Sequence, residues 1–338
     1  MSHSESREDA TDGDELPIER SPLEDSSREE STRGDRYRRR LDTTVLTPFR
    51  IVWSDSRARV GLLIILFYLL MGTVGVMILE APVQGEGGRL VGPFQSWQFP
   101  LGTDTGGEGI LKQIVYATPP MLLMIGSGAV FSTVMATLVG TFSGYKGGNV
   151  DRVLMSFTDI ALAIPGLPLI IVISVVLEPR SPIIIGIVLS INAWAGLARS
   201  IRSQVLTLRS ESYVEASRVM GESVPFIIRG DILPNIMPYV LINFVRTGRY
   251  VVFASVGLYF LGVLPSSTEN WGIMMEYAYS TAGALYTLES AHWLFFPMLA
   301  IVVLVFGLTM FSQGTDRLFN PRIRARHAKH TPDDDEEI

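Results

Sequence analysis

The sequence of 338 residues contains no cysteine, so it can form neither a disulfide framework nor a thiolate metal site. It has only four histidines, and they are scattered along the chain: His3, His292, His327 and His330. No spacing typical of metal ligands appears among them. We therefore expect no bound metal.

The sequence also lacks a catalytic constellation. It has no GxxxxGK[ST] loop, with which many ATPases hold phosphates, and its glycine-rich stretches GGNVDR and GTDTGGEG are not strand-to-helix phosphate cradles. No pair of carboxylates stands near a histidine. We expect no enzyme activity, no cofactor and no nucleic acid partner, and any ATP hydrolysis must occur on another subunit.

Apolar residues make up 47% of the chain, whereas acidic charge is concentrated at its ends. Residues 1–35 hold twelve acids and four arginines, and residues 331–338 hold five acids and no base. Because the whole chain has a net charge of −6, residues 36–330 carry +7. We predict a disordered acidic tail at 1–35, a basic segment at 36–59 and a second acidic tail at 325–338.

Six apolar stretches predict helices that cross the roughly 30 Å of a membrane's hydrocarbon core. They lie at about residues 60–79, 120–143, 153–177, 183–199, 237–263 and 291–314. The acidic N-terminus is unlike a signal peptide. The AIPGLP stretch at 163–168 should kink or interrupt the third span. The predicted class is an all-α membrane protein with a membrane domain at 60–324.

The distribution of lysine and arginine predicts the orientation of these spans. With the N-terminus in the cytoplasm, the inside segments hold nineteen Lys and Arg and the outside segments three. The three are Arg89, Lys112 and Arg180. Positive charges concentrate on the cytoplasmic side, so we predict a multi-pass protein of the cell membrane with both termini in the cytoplasm. The loop 200–236 is then cytoplasmic, and the segments 80–112 and 264–290 are outside.

The stretch ESYVEASRVMGESVPFIIRGDILPNIMP, residues 211–238, is a polar segment between two apolar spans. Its pattern predicts two short helices separated by Gly221, which can take the left-handed conformation after a helix end. Glu215 and Arg218 can pair at i, i+3. Pro234 should stop or kink the second helix, because it lacks an N–H group. Such a unit on one side of a membrane can insert into a groove of a partner.

The order of residues in this segment resembles the EAA loop of ABC-importer permeases, which docks on the ATPase subunit. The resemblance assigns coupling to the ATPase to seven residues: Glu215, Ala216, Ser217, Arg218, Gly221, Leu233 and Pro234. The sequence departs from the family pattern at Ser217, where alanine is usual, and at Asp231, where isoleucine is usual.

Further stretches, among them SFTDIALAIPGLPLIIVI, GLYFLG and FSQGTDRLFNPR, resemble the dipeptide/oligopeptide permease family, and the likeness covers roughly residues 45–324. It implies the C-type inner-membrane subunit of an ABC importer, with the type I permease fold. The implied partners are a second homologous permease, two ABC ATPase subunits, an extracytoplasmic solute-binding protein and membrane lipid. Glu108 and Gly109 replace an Arg-Asp pair that is usual in the family.

Arg246 and Arg249 lie inside the predicted fifth span, where charges are expensive and normally face a cavity or a partner. In a structural interpretation, one of them pairs with Asp159, the only acid inside a predicted span, or extends to the membrane interface. In a functional one, they line the translocation path and attract a negatively charged or hydrogen-bonding substrate. We place Asp159 and Asn192 on the same candidate path, although polar side chains in a membrane also serve helix packing.

The outer segment 80–112 predicts an ordered loop that leads into an amphipathic helix, with Asp104 or Thr105 as possible caps. Three tryptophans fall at predicted outer edges of the membrane: Trp97, Trp271 and Trp293. An aromatic belt at the interface is the usual explanation for such positions.

Two other classes stay open at this point. One is a secondary transporter that works without ATP, although the sequence shows none of the paired repeats typical of that class. The other is a membrane scaffold without a transport role. The substrate is also open, because the resembling family carries peptides, nickel chelates and oligosaccharides.

Overall fold

The computed structural model describes Trp53, residues 55–265 and residues 269–318, apart from the side chains of 316–318. The predicted tails at 1–35 and 325–338 lie outside this part of the chain, as does most of the predicted basic segment. The described residues form helices and loops. They contain no β-strand beyond an isolated bridge between Thr103 and Gly109.

Apart from the single α-helical turn Val76–Ile78, eleven α-helices follow one another in the described residues. In chain order they are α1 (Ser56–Leu70), α2 (Ile110–Lys146), α3 (Gly148–Ala163), α4 (Gly166–Leu177), α5 (Pro182–Leu189), α6 (Ala193–Leu208), α7 (Ser212–Val219), α8 (Val224–Ile227), α9 (Leu233–Phe260), α10 (Trp271–Ser280) and α11 (Ala291–Leu318). A π-helical stretch, Met71–Gly75, and the turn Val76–Ile78 prolong α1, and a second π-helical stretch, Ile228–Ile232, joins α8 to α9.

Within the described residues, α1 with its extension, α2 and α11 are each long and apolar enough to cross a membrane. The pairs α3–α4 and α5–α6 can each make one further crossing, but they are bent by 85° and 58°. The first bend lies at the AIPGLP stretch, which confirms the predicted interruption there. The second, at residues 190–192, was not predicted, because no proline marks it. The count of six spans stays a prediction.

The main core lies where α10 packs against α9 and α11, and buried side chains of α1 and α2 complete it. The Tyr68 hydroxyl donates to the carbonyl of Ala300 at 2.6 Å, and its ring lies 5.7 Å from that of Trp271. Trp271 and Trp293 are 0% and 3% exposed. The aromatic-belt interpretation is therefore wrong for these two tryptophans, which are core residues. Trp97 is fully exposed.

A second core lies at the other end of α2, where α2 and α6 approach closely. A Cβ atom at Gly140 would lie 2.6 Å from the carbonyl oxygen of Ala198, and one at Gly144 would lie 2.8 Å from Cβ of Val205. Small residues thus bring the two backbones together. The side chains of Val214 and Ile227 pack in this core, so it is the base on which the segment 211–238 stands.

At the start of α2, residues 80–109 form a loop organised by buried polar groups. Asp104 Oδ1 accepts two loop N–H groups at 2.8 and 2.9 Å, and its Oδ2 accepts Nε2 of Gln113 at 2.7 Å. The prediction that Asp104 or Thr105 caps the following helix is wrong. The N-cap position is Gly109, which offers no side chain.

Candidate functional site

The predicted docking helix, α7, stands on the protein surface. Val214 is the one buried residue among its eight, and it packs in the second core. The side chains of Glu215, Ala216 and Arg218 are exposed, and that of Ser217 is half-buried. The helix is thus attached along one edge and presents the rest of its surface outward.

Gly221 ends this helix with φ at +81°, which confirms the predicted left-handed conformation. Its N–H donates to the carbonyl of Arg218, and the next N–H, of Glu222, donates to that of Ser217, both at 3.1 Å. These two bonds form the Schellman arrangement that closes a helix end. A Cβ atom at Gly221 would meet no heavy atom within 4 Å. The residue type is therefore restricted by backbone conformation and not by space.

Three apolar side chains beside this turn are exposed, although they lie in the polar segment between two apolar spans. Val219 is 83% exposed, Met220 73% and Phe226 58%. Exposed apolar side chains of this kind are typical of a surface that a partner covers. None of the three was among the seven residues predicted to couple to the ATPase. Their exposure follows from the burial of Val214 and Ile227, because the opposite faces of α7 and α8 then point outward.

A cavity of about 700 Å³ lies between α7 and the end of α2. Glu215, Arg218, Arg209 and Tyr145 contribute to its lining. The guanidinium carbon of Arg218 lies 5.8 Å from the centroid of the Tyr145 ring, within reach of a cation–π interaction. The possible pairing of Glu215 with Arg218 is absent from the ion pairs of the described residues. Arg218 thus links the docking helix to α2.

Leu233 and Pro234 begin α9. Pro234 lies in its first turn, where the missing N–H leaves no helical bond unmade. The backbone stays helical from α8 through the π-helical stretch into α9, so Pro234 does not stop the helix, and a kink at this position stays a prediction. Asp231 lies in the preceding π-helical stretch, and its Oδ2 is buried without a hydrogen-bond partner among the described residues. The departure from the family pattern at this position therefore places a desolvated carboxylate oxygen beside the docking helix.

Tyr213 connects the docking helix to the start of α9. Its hydroxyl accepts a hydrogen bond from Nδ2 of Asn235 at 3.2 Å. Partial burial, followed by the charges of Glu211 and Asp231, raises the pKa of Tyr213 above its ordinary value. The phenol therefore stays protonated at neutral pH and holds the two elements together as a neutral group.

The bends of the two helix pairs contact each other. A Cβ atom at Gly166, the first residue of α4, would lie 2.7 Å from Nδ2 of Asn192, the residue before α6. Further along the same elements, Asp159 of α3 accepts a hydrogen bond from Arg199 of α6, and both side chains are more than half exposed. Asp159 and Asn192 thus lie along the junction of α3–α4 with α6.

The two arginines of α9 differ in their surroundings. Arg249 donates from Nη1 to Oγ1 of Thr309 on α11 at 3.0 Å, whereas Arg246 is exposed. The pairing of either arginine with Asp159 is wrong, because Asp159 is bonded to Arg199. No hydrogen bond between described residues joins either arginine to Asp159 or Asn192. The four predicted path residues therefore do not form one cluster.

A bundle of apolar helices, two pairs of them bent, with a polar helix–turn–helix standing off one end, is the architecture expected of a membrane permease. Residues 136–325 match the family described as the binding-protein-dependent transport system inner membrane component. The match covers more than half of the chain, and the chain belongs to this family.

Several curated proteins resemble the chain over most of its length. The dipeptide transport system permease protein DppC of Bacillus subtilis is 27% identical over 88% of this chain and 92% of its own. The oligopeptide transport system permease protein OppC of the same organism is 29% identical over 80% of this chain and 87% of its own. The OppC protein of Lactococcus lactis subsp. cremoris is 30% identical over 61% of this chain and 69% of its own.

These similarities confirm the family, the all-helical type I permease fold and the importer function predicted from the sequence. The chain is a pore subunit of an ABC importer in the inner membrane and not an enzyme. The importer acts with ATPase and solute-binding partners, and ATP hydrolysis takes place on a separate subunit.

Proposed function

We propose that the chain forms half of a pore that carries dipeptides, oligopeptides or a related solute into the cell. A second, homologous permease would supply the other half, and an extracytoplasmic binding protein would deliver the solute to the loops 80–112 and 264–290. The substrate class is supported by the relatives, whose names specify dipeptide and oligopeptide transport. It is further supported by the extent of the similarity, which reaches 92% of the DppC chain.

The observation that carries the coupling proposal is the attachment of α7. One buried residue, Val214, holds this helix to the subunit together with single contacts from Tyr213 and Arg218, and the turn at Gly221 is closed by two backbone hydrogen bonds. Two ATPase subunits that close on each other would each move one such helix. The turn is too constrained to flex, so the displacement would pass through α8 and the π-helical stretch to α9. The pore would then change between inward-facing and outward-facing states.

We place the translocation path along the exposed side of the bent helices. Asp159 and Arg246 are exposed in the isolated subunit, and charged residues inside a membrane face a cavity or a partner. Asn192 lies at the contact of the two bends, where a small movement would change the width of the path. Arg249, held by Thr309, would support the wall of the path next to Arg246.

The proposed orientation has both termini, and the α7 segment, in the cytoplasm. Because the chain has no cysteine, each introduced cysteine is unique in this subunit. We expect Gln98→Cys, in the exposed outer loop, to react with a membrane-impermeant maleimide in intact cells. Glu222→Cys, beside α7, should react only after permeabilisation. The reverse pattern would overturn the orientation.

The partners are tested by purifying the tagged chain gently at several salt concentrations and identifying the retained proteins by mass spectrometry. We expect a second permease and one or two kinds of ATPase subunit. Phe226→Asp should lose the ATPases and keep the second permease, because it places a charge on the docking surface alone. Tyr286→Asp is a matched control, since Tyr286 is an exposed aromatic residue between α10 and α11, away from the docking surface. Recovery of the chain alone at every salt concentration would favour a secondary transporter or a scaffold.

The substrate is tested by uptake of labelled peptides, a nickel chelate and an oligosaccharide in cells that depend on this importer. We expect peptide uptake, and we expect Arg246→Ala to reduce it at unchanged protein level. If Arg246→Ala and Arg249→Ala both left the uptake of every solute unchanged, the two arginines would have no place on the path.

A further inference from the structure

A shallow groove of about 560 Å³ runs along the surface where α2 turns into α3. Its walls are apolar and its polar groups stand at one end. The principal lining residues are Leu138, Phe142, Val150 and Val153 on the walls, with Lys146 and Asn149 at the polar end. We call this the α2–α3 groove. Its polar end adjoins the cavity beside α7, which Lys146 also lines, and it shares no lining residue with the bent-helix junction.

The polar end of the α2–α3 groove carries positive charge. Lys146 is exposed, and Nη1 of Arg152 donates to Oδ1 of Asn149 at 3.1 Å. The nearby acid, Asp151, is already neutralised, because Arg202 donates to both of its oxygens at 2.5 and 2.6 Å. Neither Lys146 nor Arg152 forms an ion pair with a described residue. Lys146, which lines the groove, and Arg152, which bonds to the lining residue Asn149, are therefore two cations with no ion pair among the described residues.

The position of the groove relative to the membrane decides which ligand fits it. Lys146 is the last residue of α2 and follows the predicted span 120–143 by three residues, so we infer that it lies near the level of the lipid headgroups. Leu138 is eight residues earlier and therefore about 12 Å deeper in the hydrocarbon. The volume is within the range of about 300–1,000 Å³ that is usual for small-molecule sites. A ligand with an anionic head and an apolar tail matches both ends.

We propose that the α2–α3 groove binds an anionic phospholipid, with one acyl chain between α2 and α3 and the phosphate against Lys146 and Arg152. The site adjoins Tyr145, on whose ring Arg218 of α7 rests. A bound lipid would therefore brace the helix end that supports the docking segment. The proposal needs only the insertion of this subunit in a membrane, and it is independent of which solute the importer carries.

The site can be probed with a fluorophore in the groove. Val153 is a partly exposed lining residue, and Val153→Cys gives a single cysteine in this subunit for bimane labelling. The assembled importer, with its other subunits free of accessible cysteine, is placed in nanodiscs of mixed phosphatidylglycerol and phosphatidylcholine. In one series the phosphatidylglycerol carries brominated acyl chains, and in the other the phosphatidylcholine does. Bromine quenches bimane on contact, so the ratio of the two quenching curves measures the preference for the anionic lipid.

We expect brominated phosphatidylglycerol to quench at least about fivefold more effectively per lipid than brominated phosphatidylcholine. The reason is that one cation near an anionic headgroup changes the binding constant by about that factor. Lys146→Gln should reduce the preference about fivefold, and Lys146→Arg should keep it. Arg89→Gln, which removes an exposed cation of the outer loop, should leave it unchanged. A second label at Val176→Cys, on an exposed apolar face of α4, should show no preference.

Two outcomes would overturn the proposal. Equal quenching by the two lipids at Val153 would mean that the groove contacts bulk lipid only. Absence of quenching, with cross-linking of the Val153→Cys position to the second permease, would mean that a protein surface covers the groove.

Discussion

The two ends of α2 are built in opposite ways. At its first end, Asp104 and Trp271 are buried among hydrogen-bonded neighbours, and His292 is bonded to the loop through the carbonyl of Thr103 at 3.0 Å. At its last end, α7 is attached through one buried residue, Val214, and through single contacts of Tyr213 and Arg218. The 37 residues of α2 separate these two regions by about 55 Å. The fold therefore keeps its tightly packed part at the loop end and its loosely attached part at the docking end.

This difference follows from where each region satisfies its polar groups. The indole N–H of Trp271 donates to the carbonyl of Ile114 at 3.2 Å, deep in the main core. The docking end instead leaves Glu215 without an ion pair among the described residues and exposes Val219 and Phe226. Elements with few buried contacts open at low free energy, and elements that move in a transport cycle are drawn from them. We infer that the loop end holds the pore subunit together while the docking end moves.

The largest effect is expected from breaking the loop end. Trp271→Ala should reduce the free energy of unfolding by about 3–5 kcal/mol, because it leaves a large cavity in the main core. Trp97→Ala is the matched control, since Trp97 is fully exposed in the same region and its loss should cost no more than about 0.5 kcal/mol. Thermal unfolding in detergent would measure both. Equal losses from the two substitutions would contradict the assignment of Trp271 to the core.

Two valines of α7 separate attachment from docking. Val214→Ala should cost about 2 kcal/mol of local stability, because Val214 is fully buried, and should speed hydrogen exchange in residues 212–219. Val219→Ala should leave exchange unchanged, since Val219 is 83% exposed, but should weaken retention of the ATPase. The same substitution, five residues apart, thus tests both faces of the helix. If both valines affected exchange alone, the outward face would have no docking role.

The turn after α7 tests whether the docking end acts as a lever. Gly221→Val should cost about 1–2 kcal/mol, since a β-branched residue is strained at positive φ although no neighbour obstructs it. We expect uptake to be lost while the protein still inserts in the membrane. Gly221→Asn should keep much of the uptake, because asparagine tolerates the left-handed conformation better than other residues. Normal uptake by the valine variant would count against the lever.

Local features of the sequence were sufficient for part of this structure. The AIPGLP stretch predicted the bend after α3, and Gly221 predicted the end of α7, because proline and glycine act through their own backbone. The bend at residues 190–192 has no such residue and could not be predicted. Asp159 was first considered beside the arginines of α9, yet its partner is Arg199, forty residues along the chain. Contacts of this kind depend on how helices are arranged in space.

Burial of single residues was the other limit of prediction. Tryptophan suits both a membrane interface and a core, so the sequence could not place Trp271 and Trp293. The same holds for the docking surface, since the stripe at helical spacing in α7, Tyr213, Ala216, Ser217 and Met220, is only weakly apolar and the buried residue is Val214. Val219 and Met220 were identified only when Val214 proved to be the buried side. The family resemblance supplied the role of the segment, and the structure supplied its outward face.

The smallest effect concerns a carboxylate of the loop end. Burial, followed by the charges of Asp104 and Glu269, raises the pKa of Glu108 above its ordinary value of 4.5. A carboxyl group whose pKa is raised by folding contributes stability below about pH 4.5 and loses that contribution as the pH rises through the folded-state value. Glu108→Gln should therefore raise the free energy of unfolding at about pH 7.5, by ~0.5 kcal/mol after solvent screening, and should have little effect at about pH 4.5. Glu289→Gln, at an exposed glutamate just before α11, is the control and should change the free energy of unfolding at neither pH. A stabilisation by Glu108→Gln that persisted undiminished at the lower pH would show that its charge is not the cause.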